Sequence, residues 1–215
     1  LGRGYRIALF LPKVKTMEKT QRPFFQKKST SPIVCGIDEA GRGPVAGPLV
    51  MAGVIFLKKV EGVTDSKRLS PHRREELFEK ILSNSCYHLV WFSPEEIDRK
   101  GLGQCIRQGL EEIKGALPAH RYYFDGNSPF GVEGIEPIVK GDLKIPEISA
   151  SSILAKVVRD RYMVQLGKLY PHYGFEKHKG YITPAHKRAL LTYGYTPHHR
   201  RSYKIKLTPP QPRLF

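Results

Sequence analysis

Two periods of apolar and polar residues succeed one another along this chain, and the switches between them mark its elements. Residues 33–38 form a short apolar run ending in acid, and residues 49–57 (LVMAGVIFL) form a second, so both read as strands. Gly53 weakens the second run without ending it. Ser70-Pro71 opens a helix that runs to about residue 82, with proline at its first position. Residues 87–92 return to strand composition. Ser93-Pro94-Glu95-Glu96 then combines a capping serine, an early proline and a glutamate in the first turn. Ile106, Leu110, Ile113 and Leu117 give residues 103–117 a helical stripe. RYYFD at 121–125 is another strand-like run ending in acid, residues 147–169 are a long helix candidate, and Thr183-Pro184 begins a helix closed by Gly194.

A strand pair followed by strands alternating with helices predicts an α/β domain: a mixed β-sheet flanked by helices. No internal repeat is present. Residues 197–215 are basic and proline-rich, which predicts an extended or partly disordered tail. The first residue is Leu and Met17 is a candidate start, so residues 1–31 are expected to be an extension, partly disordered or non-native. The folded domain is placed at 32–196.

Charge narrows the function. With 36 Lys and Arg against 20 Asp and Glu, the net charge is +16, which suits a polyanion: most often nucleic acid, sometimes an anionic membrane. No run approaches the roughly 18 apolar residues of a membrane span, and residues 7–11 are too short for a secretory core. Cys35, Cys86 and Cys105 lack zinc spacing and suit reduced thiols in a cytoplasm.

Against that positive background the acids stand out. Asp38 and Asp125 end strand-like runs, where open α/β sheets bind ligands. Glu39 follows Asp38 directly; on a regular strand the two would face opposite sides, and the glycine-rich turn behind them could swing both to one site. Asp142 lies in a loop-like stretch before a helix. Converging carboxylates persist only when cations neutralise them, and oxygen ligands suit Mg²⁺ or Mn²⁺. Asp125, in Asp-Gly-Asn, and Asp142 suit turns or caps equally well.

GIDEAGRGPVAGP (36–48), TDSKRLS (64–70), FDGN (124–127), KGD (140–142), SILAKVVRD (152–160) and HKGYITPAH (178–186) occur in that order. Together they resemble bacterial type 2 ribonuclease H, ribonuclease HII, from about residue 35 to 201. The resemblance implies a ribonuclease H-like sheet with a helical C-terminal portion. It implies an enzyme that hydrolyses the RNA strand of RNA–DNA hybrids and nicks duplex DNA 5′ of embedded ribonucleotides, in ribonucleotide repair and replication. The family's four metal-binding acids fall on Asp38, Glu39, Asp125 and Asp142, its Gly-Arg-Gly element on Gly41, Arg42 and Gly43, and its junction-sensing tyrosine on Tyr181. Ser151 stands where alanine is expected.

Two ions about 3.5–4 Å apart would activate water and stabilise the leaving 3′ oxygen, giving a 5′-phosphate and a 3′-hydroxyl. Glycines would let backbone groups read a ribose 2′-OH, while Tyr181 would stack on the following sugar. Lys67, in Asp-Ser-Lys, is a candidate phosphate clamp, and Lys144, Lys156, Arg159, Lys177 and Lys179 are candidate backbone contacts. Asp160 and Arg161 are expected to form a helix-surface pair. His178 and His186 fit polar packing or a supporting role at the site. The terminal QPRLF resembles the Gln-x-x-Leu-Phe peptides that dock on bacterial sliding clamps, with Pro212 in place of the usual Leu, so Gln211–Phe215 is a candidate clamp contact. A monomer with no membrane partner is expected. A non-catalytic hybrid-binding module and an integrase-like two-metal nuclease are the competing readings.

Overall fold

The computed structural model describes residues 32–63 and 69–207. Lys67, the Gln211–Phe215 peptide and the 1–31 extension lie outside the described residues.

β1 (Val34–Ala40) and β2 (Leu49–Phe56) are followed by α1 (Pro71–Asn84), β3 (Ser85–Phe92), α2 (Pro94–Lys100) and α3 (Leu102–Ala116). After these come β4 (Arg121–Asp125), β5 (Ile135–Ile138), a 3-10 turn (Gly141–Leu143), α4 (Pro146–Leu169), α5 (Phe175–His178) and α6 (Pro184–Tyr193). The strands form one mixed sheet in the order β3-β2-β1-β4-β5. β1 pairs antiparallel with β2, β2 antiparallel with β3, and β1–β4 and β4–β5 are parallel. This is the mixed, helix-flanked sheet that the alternation predicts.

Helix starts follow their local signals. Ser70 accepts from the Arg73 N–H, Ser93 forms a complete capping box with Glu96, and Thr183 accepts from the His186 N–H. Gly101, at φ +83°, separates α2 from α3. β5 and α5 are not legible as periodic runs. β5 holds Pro137, which cannot donate to a sheet and is tolerated because β5 is an edge strand.

Both faces of the sheet are buried. Leu49, Met51 and Ile55 pack with Ile106, Leu110 and Ile113 of α3, while Val50, Ala52 and Val54 meet α1 and α4 on the other face. Truncating Leu110 to Ala would cost about 2–5 kcal/mol. α4 is covered on nearly all sides, and its backbone rides close on β1. A Cβ on Gly36 would lie 2.2 Å from the backbone of Glu147 and Ile148, so only glycine admits this approach. The far half of α4 carries the helical C-terminal portion through Met163, Leu166, Phe175 and Leu190.

Residues 198–207 carry no helix or strand, but they are not a free tail. His199 is 2% exposed and Arg200 is fully buried, held by backbone carbonyls of the β1–β2 turn. The folded unit thus continues past residue 196, because proline-rich composition does not reveal which polar side chains find buried acceptors.

Candidate active site

Asp38 lies within β1, not beyond it: pairing continues regularly through Ala40, with Asp38 opposite Ala52 and Glu39 opposite Met51. The glycine turn therefore does not swing the two carboxylates together. Asp38 leaves the α4 face, where Ser152 hydrogen-bonds its carboxylate. Glu39 leaves the other, where Arg42 meets it: Nη2 donates to Oε2 at 3.0 Å, and Nε lies 2.5 Å from Oε1 without hydrogen-bond alignment. Arg42 also lies 5.6 Å from the ring centres of Phe124 and Phe130.

Asp125 ends β4, beside β1, and its Oδ1 accepts from the Gly141 N–H at 2.9 Å. That bond brings the 3-10 turn carrying buried Asp142 to the same strand ends, and Ser149 of α4 donates to the Asp142 carbonyl at 2.7 Å. Burial pushes the Asp38 carboxyl well above the usual carboxylate range, and repulsion from Glu39 and then Asp125 adds to it. Hydrogen bonds from the Glu39 N–H and Ser152 oppose that shift.

These donors fit a hard divalent cation. They are all oxygen, and a cation relieves the repulsion raised on Asp38. Among the described residues no group of three or more His, Cys, Asp or Glu side chains is placed to hold a metal ion. The fit is one of donor chemistry and charge.

The Gly-Arg-Gly turn is tightly enclosed at Gly41. Gly41 has φ +108°, and a Cβ there would lie 2.4 Å from Arg159 Nε and 2.5 Å from the Pro48 carbonyl. Gly43 is exposed, and a Cβ on it would lie 3.6 Å from Tyr181 Cε1. The structure thus brings together Gly43 and Tyr181, the latter 50% exposed.

Sequence reasoning misreads Arg159 as a phosphate contact. It is 1% exposed and donates to the carbonyls of Pro48 (2.9 Å), Lys179 (3.0 Å) and Ala46 (3.1 Å), tying the turn to α4. Burial lowers its pKa to about 10. Asp160 and Arg161 do not pair with each other, since adjacent helix positions face apart: Asp160 takes Lys156 at 2.9 Å, and Arg161 takes Glu75. Lys144 donates to the Val139 carbonyl at 2.9 Å. Lys177 and Lys179 line a cavity of about 740 Å³ with Arg74 and Arg161.

His178 and His186 pack as a polar cluster under Tyr181. Their rings stack at 4.3 Å, His186 Nδ1 donates to the Tyr181 carbonyl at 2.9 Å, and His186 Nε2 lies 3.0 Å from His199 Nε2. Burial lowers His186 and His199 to about 4. Ser152, His199, Arg200 and Tyr203 are the contributors that sequence reasoning missed. Ser152 carries a faint signal, a serine in an apolar helix near the acids; the others lie in a stretch read as tail.

No helix among the described residues is long and apolar enough to cross a membrane. The family model for ribonuclease HII matches residues 35–206. Ribonuclease HII of Sulfurovum sp. (strain NBC37-1) is 53% identical over 180 residues, covering 84% of this chain and 95% of the relative. Ribonuclease HII in the PCNA:RNase HII complex from Archaeoglobus fulgidus superposes with a TM-score of 0.71 at 30% identity, covering 82% of this chain and 98% of that one. Ribonuclease H2 of Pyrococcus horikoshii OT3 gives 0.67 at 32% identity, with 80% and 94% covered. Sequence match and fold agree over the same stretch that holds the acids, the glycine turn and Tyr181: the chain belongs to the ribonuclease HII family and is a metal-dependent endoribonuclease of RNA–DNA hybrids.

Proposed function

We propose that the enzyme also nicks duplex DNA on the 5′ side of a single embedded ribonucleotide, leaving 5′-phosphate and 3′-hydroxyl ends. The observation that carries this reading is the closeness of Gly43 to Tyr181 beside the acidic strand ends. A small backbone and an aromatic face bound one gap, suited to a sugar whose 2′-OH meets the backbone and a following sugar stacked on the ring. The N–H groups of Arg42 and Gly43 make no hydrogen bond among the described residues and are available to that hydroxyl.

Asp38, Glu39, Asp125 and Asp142 would hold two divalent ions, Mg²⁺ or Mn²⁺. Such ions, when bound, supply an acidified water and charge neutralisation at the phosphate. The chain's own part is to fix the carboxylates: Ser152 orients Asp38, the Gly141 N–H orients Asp125, and Arg42 holds Glu39 until substrate competes for the guanidinium. Lys67 would clamp a phosphate, and Lys144, Lys156, Lys177 and Lys179 would add salt-sensitive contacts. We place the enzyme in the cytoplasm as a monomer working in ribonucleotide repair and replication; three buried free thiols fit a reducing compartment.

The test uses a DNA duplex bearing one ribonucleotide, an all-DNA duplex and a continuous hybrid, each with Mg²⁺, Mn²⁺ or EDTA. Ion-dependent cutting 5′ of the ribonucleotide, with the all-DNA duplex intact, is expected. No cutting of the single-ribonucleotide duplex, with the hybrid still cut, overturns the nicking activity. A sliding-clamp contact through Gln211–Phe215 is a second reading, favoured by the peptide's Leu214-Phe215 end and by the relative solved in complex with PCNA. Unchanged clamp affinity after deletion of residues 211–215 would remove it.

A further inference from the structure

We propose that the segment from Thr196 to Tyr203 is a strap that sets the gap between the Gly-Arg-Gly turn and Tyr181, with Arg200 and Tyr203 as positioning residues. The inference rests on the reading of Gly43 and Tyr181 as the sugar sensor. It goes beyond that reading by assigning what fixes the sensor's width.

The strap is irregular, joined to the turn by an isolated bridge between Ala46 and His199. Its Thr196, His199 and Arg200 side chains are nonetheless among the most buried polar groups of the described residues. Arg200 is fully buried and makes no salt bridge among the described residues, an expensive state unless its donors find acceptors. Two of its nitrogens find acceptors on the turn; Nη1 also donates to the Tyr203 hydroxyl at 3.0 Å, and Nη2 has no hydrogen-bond partner among the described residues. Nε donates to the Gly47 carbonyl at 3.0 Å and Nη1 to the Arg42 carbonyl at 3.1 Å. The Tyr203 hydroxyl donates to the same Arg42 oxygen at 2.6 Å. Main-chain bonds continue the seam: the Arg200 N–H to the Val45 carbonyl and the Gly47 N–H to the His198 carbonyl, both 2.8 Å.

Two donors on one carbonyl oxygen fill both of its lone pairs. The Arg42 carbonyl and the Gly43 N–H share one planar, trans peptide, so they point in opposite directions. Fixing the oxygen against Arg200 and Tyr203 therefore aims the Gly43 N–H away from the strap. That N–H makes no hydrogen bond among the described residues.

At its other end the strap holds Tyr181. The Thr196 N–H donates to His199 Nδ1 at 2.9 Å, so His199 carries its proton on Nε2. His199 then donates to His186 Nε2, and His186 Nδ1–H donates to the Tyr181 carbonyl. Each link fixes the tautomer of the next. Gly180, next to Tyr181, closes the loop by accepting from the N–H groups of Val45 and Ala46 at 3.0 and 3.3 Å. Both walls of the gap are thus fastened to the same eight residues. Well-packed apolar side chains would serve a merely structural seam as well. A directed set of donors on the carbonyls of residues 42 and 47 is what a positioning role requires.

The experiment compares Tyr203→Phe, which removes one hydroxyl and keeps the ring, with Arg200→Lys, which loses the forked donor set. Melting temperature, kcat and KM are measured on the single-ribonucleotide duplex and on the continuous hybrid. The expected result for Tyr203→Phe is a fold that melts near the parent, KM nearly unchanged, and kcat on the single-ribonucleotide duplex lower by about tenfold. The hybrid should lose less, so the ratio of the two rates shifts. Arg200→Lys should shift the ratio further. Lower melting with both kcat values and their ratio unchanged would show a purely structural seam and overturn the proposal. Gly43→Ala and Tyr181→Ala are run alongside. A ratio they alter and Tyr203→Phe and Arg200→Lys do not overturns the strap alone; a ratio they leave unchanged overturns the sensor reading and the strap with it.

Discussion

Arg42 turns back onto Glu39, three residues earlier, and holds its carboxylate by two guanidinium nitrogens at 2.5 and 3.0 Å. Glu39 is thereby paired with the Gly-Arg-Gly turn. A cation at Glu39 must share the carboxylate with the guanidinium, and a substrate phosphate competes for Arg42. On the proposed roles of Glu39 and Arg42, ion and nucleic acid would each release the other's partner. Arg42→Met is expected to tighten Mn²⁺ binding to the free enzyme about two- to fivefold, the scale of a partly exposed ion pair. Hybrid affinity should fall in the same variant. Titration calorimetry without nucleic acid checks the first effect, and weaker or unchanged ion binding would contradict the coupling.

Asp38 is a buried carboxylate repelled by its neighbours, so its charge opposes folding while it serves the site. Asp38→Asn removes that charge and keeps the side-chain shape. The variant should melt about 2–8 °C higher than the parent in EDTA, the shift expected for about 1–2 kcal/mol in a chain of this size. It should bind hybrid with little change and cleave it at least about a thousandfold more slowly. Differential scanning calorimetry and a single-turnover assay test the two halves separately. Retained turnover would remove Asp38 from the chemistry.

What was legible in the sequence was local. Ser70, Ser93 and Thr183 announce their helices because a cap needs only the next three residues. β5 was hidden because its Pro137 is tolerated only at a sheet edge, and the edge exists only once the fold does. Asp38, Asp125 and Asp142 are legible as acids near strand ends or before a helix in a basic chain; in the structure Asp38 lies within β1, Asp125 ends β4, and Asp142 sits in the 3-10 turn tied to Asp125 through the Gly141 N–H. The opposed directions of Asp38 and Glu39 follow from strand alternation alone. Arg159 and Arg200 were misjudged for one reason: a charged residue is assigned to the surface by default, and both find carbonyls of the β1–β2 turn more than 100 residues away in sequence.

Gly41 and Gly43 should respond differently to the same substitution. At Gly41 a methyl group meets Arg159 and the Pro48 carbonyl below 2.6 Å, at a positive φ that L side chains resist. Gly41→Ala is expected to lose about 2–4 kcal/mol of stability. At Gly43 the nearest atom to a new methyl is Tyr181 Cε1 at 3.6 Å, an ordinary contact. Gly43→Ala should fold normally and narrow the gap, raising KM for the single-ribonucleotide duplex more than for a probe bound elsewhere. Urea melts and Michaelis kinetics on both variants provide the check. Equal stability losses would show that the turn is not organised as described.

The histidines beneath Tyr181 make stability depend on pH. Burial holds His186 and His199 near 4 in the folded chain, against about 6.5 when unfolded. Between those values the unfolded chain binds the extra protons, so stability is complete above pH 6.5 and falls as pH drops toward 4. Each group removes up to about 1.4 kcal/mol per pH unit across that window. Asp38 acts in the opposite sense: its raised folded pKa means that acidification relieves it. The measurement is therefore made in the Asp38→Asn protein, by urea unfolding at pH 7, 6 and 5. A steep loss between pH 6 and 5 is expected, and it is reduced when His199→Gln removes one titrating ring, while His178 and His198, also lowered by burial, keep part of the slope. The slope should persist in high salt, because it comes from desolvation inside the cluster and not from screened surface charge. A flat profile, or one that His199→Gln leaves unchanged, would place the protons elsewhere and free Tyr181 from this chain of rings.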